Sequence, residues 1–153
     1  MSTYSQIYLH IIFAVKGRAS IISPAWENDL YKFITGIVKN KGQKLLIING
    51  SADHLHLLIS LKPSCRISDL VREIKKSSNI YINDNFVPLR SFSWQEGYAV
   101  FSYNKSSINT VVSYIKKQKE HHKKITFKDE YKKFLIKFGI DYDERFLFDE
   151  IEN

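Results

Sequence analysis

A chain of 153 residues with 44% hydrophobic and 14% aromatic content is long and apolar enough for one domain, spanning 1–153, with a full core, which excludes a disordered chain. Its one cysteine, Cys65, excludes an intramolecular disulfide. Lysine and arginine number 23 against 16 acids, for a net charge of +7, and that balance favours a polyanionic partner through counterion release, although a solvated lysine-rich surface has the same composition.

The first residues lack the basic-then-apolar pattern of a signal peptide, and no apolar run approaches the ~18 residues of a membrane span. A soluble cytoplasmic protein is the expectation. Tyr4 to Lys16 alternates, with Ile7, Leu9, Ile11, Phe13 and Val15 on one face and Tyr8, His10, Ile12 and Ala14 on the other. That is a strand buried on at least one side. Ser23-Pro24 then reads as a helix N-cap followed by proline at the first helical position, with Glu27 and Asp29 near the positive end of the dipole. Trp26, Leu30, Phe33, Ile34, Ile37 and Val38 recur at helical spacing, Trp26 and Phe33 as core residues, and Gly42 ends the helix.

Lys44 to Asn49 is a second strand, Gly50-Ser51-Ala52-Asp53 a turn, and His54 to Leu61 a third strand. Ser68-Asp69 opens a second helix whose inner face carries Ile67, Leu70, Val71, Ile74 and Tyr81. Asn83 to Arg90, with Pro88, is a loop, and Gly97 to Tyr103 is a fourth strand. Ser106 or Ser107 caps a third helix running to about Lys123, and a last helix spans roughly Lys128 to Phe138 and stops at Gly139. Nine lysines fall between Lys116 and Lys137, whereas Asp141 to Asn153 forms an acidic tail. The order β-α-β-β-α-β-α-α predicts an α+β, ferredoxin-like (RRM-like) sandwich: an antiparallel four-stranded sheet with helices on one face, plus C-terminal helices. With Leu55, Leu57, Ile59 and Leu61 toward the helices, His54, His56, Leu58 and Ser60 are expected on a free outer face.

His54-Leu55-His56 puts two imidazoles side by side, because residues two apart on a strand share a face. Neutral imidazole is a good ligand for divalent first-row metals. Most such pairs are simply surface or hydrogen-bonded strand histidines. Two protein ligands hold a metal poorly, so a third is sought elsewhere, and Gln118 is the candidate. Tyr114 and Gln118 are four apart on the third helix and project together, beside the apolar stripe of Ile108, Val111, Val112 and Ile115. The plainer reading of Tyr114 is a half-buried edge tyrosine. His121 and His122 read as a solvated helix face, with contact to metal or DNA as the alternative; Asp53 reads as a turn acid, with holding a ligand histidine in its tautomer as the alternative; Cys65 reads as structural.

Three ordered segments resemble the motifs of the single-tyrosine HUH transposases, the TnpA type of the simplest insertion sequences. They are Asp53-His54-Leu55-His56-Leu57-Leu58-Ile59, Trp94-Gln95-Glu96-Gly97-Tyr98 and Tyr114-Ile115-Lys116-Lys117-Gln118. Lys16-Gly17-Arg18 and Leu70-Val71-Arg72-Glu73-Ile74-Lys75 also look familial. The resemblance implies a metal bound by His54, His56 and Gln118, and Tyr114 as the nucleophile that becomes joined to a 5′-phosphate. It implies a homodimer in which one subunit's tyrosine helix can complete its partner's site, and a single-stranded DNA substrate with hairpins at element ends. The donor set suits Mg²⁺ or Mn²⁺, with zinc allowed by ligand type. Candidate DNA contacts are Lys16, Arg18, Lys75, Lys76, Lys116 and Lys117. Rival readings are a non-catalytic single-stranded nucleic-acid-binding module, a zinc hydrolase using His54 and His56, and a domesticated relative acting on chromosomal repeats.

Overall fold

The computed structural model describes residues 2–148 apart from the Arg18 side chain, so that side chain and the end of the acidic tail, Asp149 to Asn153, lie outside the described residues. The strands are β1 (Tyr8–Ala14), β2 (Lys44–Ser51), β3 (His54–Ser60) and β4 (Ala99–Tyr103). The helices are α1 (Glu27–Asn40), α2 (Ile67–Asn85), α3 (Ile108–Lys116), α4 (Gln118–His121) and α5 (Phe127–Lys137). The sheet order is β2-β3-β1-β4 with every pairing antiparallel, the strand order of the expected ferredoxin-like sandwich.

The alternation in β1 and β3 decides how the first layer packs. Leu9, Ile11, Phe13 and Val15 join Leu55, Leu57, Ile59 and Leu61 in one buried cluster with Leu30, Ile34 and Val38 of α1 and Leu70, Val71 and Ile74 of α2. The register sets Phe13 opposite Leu55 and Ile11 opposite Leu57, so the large side chains meet across the strands. Each such side chain contributes roughly 1.5–3 kcal/mol on burial.

Several boundaries differ from the expected ones for local reasons. The N–H groups of Trp26 and Glu27 donate to the Ser23 carbonyl, and the Ser23 hydroxyl accepts from Ala25. Ser23 therefore closes a turn, and α1 starts at Glu27. Gly42, at φ +75°, does end the α1 segment, and α2 starts at Ile67, ahead of Ser68. Gly97 takes φ +82°, and β4 begins only at Ala99. Trp26 and Phe33 are half-buried: they stack on Phe86 and Tyr81 at ring distances of 4.8 and 4.1 Å, along the α1–α2 seam.

The third helix breaks at Lys117 and does not continue to Lys123; α3 ends at Lys116 and α4 starts at Gln118. Asn49 on β2 donates to the carbonyls of Ile115 and Lys116 at 3.0 and 3.1 Å, supplying partners for carbonyls that a helix end leaves orphaned.

The expected free sheet face is not free. Ile12 and Ala14 of β1, with Ala99 and Phe101 of β4, pack against Phe127, Phe134 and Leu135 of α5. Leu58 packs against Val111 and Ile115 of α3. Both surfaces are apolar, and leaving either in water costs about 25 cal/mol per Å², so the C-terminal helices close over the sheet. The described part of the tail follows them: Glu144 pairs with Lys132 at 2.6 Å, and Phe148 packs on Phe127 and Tyr131.

Candidate active site

Because the second face is covered, the β3 histidines sit in an interior. His10, His54, His56 and Gln118 are all 0% exposed, and Glu130 is 1% exposed. Buried polar groups of this kind must find partners among themselves.

The β2–β3 turn delivers His54. A side chain at Gly50 would put a Cβ 2.1 Å from the His54 carbonyl oxygen, so only glycine lets β2 close against β3 at that point. Asp53 Oδ1 lies 2.7 Å from His54 Nδ1. Asp53 is thus more than a turn acid: it takes the Nδ1–H and leaves the lone pair of His54 on Nε2. His56 is held on both sides, with Nδ1 2.7 Å from His10 Nε2 on β1 and Nε2 2.9 Å from Glu130 Oε1 on α5.

Tyr114 and Gln118 arrive on either side of the α3–α4 break. The Tyr114 hydroxyl donates to Glu130 Oε2. Gln118 Nε2 donates to the same oxygen at 3.0 Å, which turns Gln118 Oε1 toward His54 Nε2 at 3.1 Å. His122 is not on a solvated face: its Nε2 lies 3.1 Å from Glu130 Oε1 and its ring 4.4 Å from that of His54. His121 packs on the Tyr114 ring at 4.6 Å. His54, His56, Gln118 and Tyr114 are therefore brought together within one chain.

Sequence reasoning missed Glu130 and the place of His10 in this group, and it weighed His122 as a metal contact but favoured a solvated face. One signal for Glu130 was present. It falls in line with Phe127, Phe134 and Phe138 at spacings of three and four, a carboxylate on an otherwise apolar helical stripe.

The protonation states follow from burial and pairing. Burial alone raises the Glu130 carboxyl, but the bonds from His122, His56 and Tyr114 outweigh it and hold the group well below the usual carboxylate range. Burial pushes the His56 imidazole down to about 4 against the opposing pull of Glu130. Burial, then the neighbouring His56, also lowers His10. The Tyr114 phenol is pushed well up by burial and then by its bond to Glu130.

With Nδ1–H committed to Asp53, His54 Nε2 faces two further acceptors, Gln118 Oε1 at 3.1 Å and Glu130 Oε1 at 3.6 Å. The lone pairs of His54 Nε2 and Gln118 Oε1 thus face each other, with Glu130 Oε1, which accepts from His56 and His122, beside them, an arrangement a cation satisfies. Two donors bound to one ion at about 2.0–2.2 Å stand roughly 3.0–3.5 Å apart, close to the separations found. The ligating atoms of His54, His56, His122 and Glu130 all lie within 4.8 Å of one another, a group able to hold a metal.

A 510 Å³ cavity reaches this centre, lined in part by His10, Tyr103, Tyr114, Glu130, Lys133 and Lys137. Lys16, Lys76, Lys116 and Lys117 are exposed. The Lys75 amine instead donates to the carbonyls of Gln95 and Gly97 at 2.8 and 2.5 Å.

Residues 3–118 match a family model described as "Transposase IS200 like". The chain is 27% identical over 120 residues to the transposase for insertion sequence element IS200 of Salmonella typhimurium, covering 74% of this chain and 78% of that one. It is 23% identical over 118 residues to the ISDra2 transposase TnpA of Deinococcus radiodurans, covering 74% and 84%. Among solved structures, a REP-associated tyrosine transposase bound to a REP hairpin shares the fold, with a TM-score of 0.61 and 19% identity over 80% of this chain and 74% of that one. Among the described residues no helix is long and apolar enough to cross a membrane.

Proposed function

This chain belongs to the IS200-like transposase family, enzymes of DNA transposition, and from that premise we propose that it cuts and rejoins single-stranded DNA through a covalent bond between Tyr114 and a 5′-phosphate. His54, His56 and Gln118 hold the metal in this reading, with Mg²⁺ or Mn²⁺ suited to a site that mixes oxygen and imidazole donors. The observation that carries it is the convergence of His54 Nε2, Gln118 Oε1 and Glu130 Oε1 beside the hydroxyl of Tyr114.

The residues divide the work. Asp53 keeps His54 in the tautomer that offers Nε2. Glu130 holds the hydroxyl hydrogen of Tyr114, which leaves the oxygen's lone pairs for phosphorus. Attack forms the Tyr114 O–P bond as the phenol proton passes to Glu130 Oε2 and on to solvent, and it breaks the bond to the 3′ oxygen, which leaves with the electron pair and takes a proton from solvent. The tyrosine ester keeps the phosphodiester energy, so a 3′-hydroxyl reverses the step without ATP. A bound divalent cation polarises the phosphate and stabilises the charge that develops there.

The 510 Å³ cavity gives the scissile phosphate a route to Tyr114, past Lys133 and Lys137. A single strand or hairpin end suits such an opening better than a duplex, since its bases can splay onto aromatic side chains. The relative bound to a REP hairpin supports a hairpin-bearing substrate. Lys16, Lys76, Lys116 and Lys117 carry exposed charge for flanking phosphates. The homodimer implied by the family resemblance belongs to this reading, with the Tyr114 helix completing the site of its own chain, the arrangement described above, or that of its partner.

The test is incubation with hairpin-containing single-stranded DNA from the element's ends and Mn²⁺, followed by denaturing electrophoresis. A protein–DNA adduct is expected, and it is lost in Tyr114→Phe. No adduct with any cognate end, or an adduct that survives the substitution, overturns the reading.

A further inference from the structure

Glu130 and His122 lie beyond residues 3–118 that match the family, yet both reach the centre of the site. A carboxylate at 1% exposure carries a desolvation cost of several kcal/mol unless another charge answers it. Among the described residues, the ion-pair partners found for Glu130 are histidines alone, His54, His56 and His122, with no lysine or arginine. Its Oε1 lies 2.9 Å from His56 Nε2, 3.1 Å from His122 Nε2 and 3.6 Å from His54 Nε2, the spacing of donors that share an ion. It also faces the same His54 lone pair as Gln118 Oε1. Its other oxygen holds Tyr114 and the Gln118 amide.

We propose that Glu130 is a direct, anionic ligand of the cation held by His54 and His56, so that one carboxylate binds the metal through Oε1 and tethers the Tyr114 hydroxyl beside it through Oε2. The assignment rests on the metal-dependent reading given above. It makes α5 a working part of the active site as well as a cover for the sheet. His122 then steers Oε1, since its ring is wedged between Glu130 and His54. The opposite arrangement, in which the carboxylate merely fills the cation's place and must leave when metal enters, makes the opposite prediction for affinity.

The experiment is titration of the full-length, metal-stripped protein with MnCl₂ in the absence of DNA, followed by calorimetry and by the electron paramagnetic resonance signal of free Mn²⁺. Glu130→Gln keeps the shape of the side chain and its bonds to Tyr114 and Gln118 but removes the charge, and it is expected to weaken Mn²⁺ binding at least tenfold. Glu130→Asp keeps the charge but draws the oxygens back, and it is expected to weaken binding several-fold; it decides the matter if the glutamine variant does not fold. His54→Ala serves as the control that loses binding. Wild-type affinity in both Glu130 variants, or a tighter affinity in Glu130→Gln, overturns the assignment and leaves the metal-dependent reading in place. Absence of Mn²⁺ binding by the wild type overturns both.

Discussion

The hydroxyl of Tyr114 donates to Glu130 Oε2 while the other oxygen of Glu130 lies 2.9 Å from His56 Nε2. The nucleophile candidate on α3 and the histidine strand β3 are thus joined through one side chain of α5. A phenol bonded to an ionised carboxylate is harder to deprotonate, and burial adds to that. In this state the tyrosine is oriented and kept protonated.

Removing that bond has a modest cost. Tyr114→Phe takes one donor from a charged acceptor, a loss of about 1.5–3 kcal/mol for bonds of this class. The low end is expected, because the Gln118 amide still donates to the same oxygen. Urea denaturation in the presence of EDTA measures it. A loss well above that range would mean that Tyr114 holds the C-terminal helices together and is more than a tethered nucleophile.

Asn49 holds the joint between Tyr114 and Gln118. Its amide caps the Ile115 and Lys116 carbonyls, and its own oxygen accepts from Lys119 at 3.3 Å. Asn49→Ala is expected to destabilise the protein by about 1–2 kcal/mol and to speed amide hydrogen exchange over residues 116–119. Unchanged exchange there would show that the α3–α4 break is set by the backbone alone.

Lys75 supplies the clearest pH dependence. Burial lowers its amine from 10.5 to about 8. Between those two values the unfolded chain holds a proton that the folded chain has released, so unfolding binds protons and stability rises with pH across that window. Below pH 8 the penalty of charging the buried amine is present in full. Lys75→Met keeps an apolar stem of similar length but removes the amine that lies over the Phe13 and Tyr98 rings, and with it the titration. The difference in unfolding free energy, wild type minus variant, is expected to climb from pH 8 to 10.5. A flat difference would refute the shifted amine.

The exposed lysines act on DNA affinity through counterions. For a single strand the slope of log K against log salt is about −0.7 per phosphate contact. Replacing Lys116 and Lys117 by serine is expected to flatten that slope by about 1.4 if both touch phosphate. The loss of affinity would be similar across DNA sequences. Fluorescence anisotropy of a labelled hairpin over a salt series reads both, and an unchanged slope removes these two residues from the interface.

Local chemistry made much of the fold legible. Period-two alternation in β1 and the apolar run of β3 predicted which residues face α1 and α2, and it put His54 and His56 on one face, because side-chain direction in a strand depends only on sequence spacing. Gly42 and Gly139, both at positive φ, marked helix ends for the same local reason. The free outer face was the wrong inference. Ile12, Ala14 and Leu58 were visible on it, and a strand reading His-Leu-His-Leu-Leu-Ile is nearly continuous in apolar residues, the pattern of burial on both sides.

What the sequence by itself determined is the sheet, its two helices, and the candidate pairs His54–His56 and Tyr114–Gln118, each within one element or one short stretch of chain. Only the tertiary structure decided that α5 lies across that face and brings Glu130 to His56, 74 positions away in the chain. The physical reason is that periodicity tells which side of an element must be covered but not by what. A polar residue on an apolar stripe has a meaning only once the surface opposite it is known.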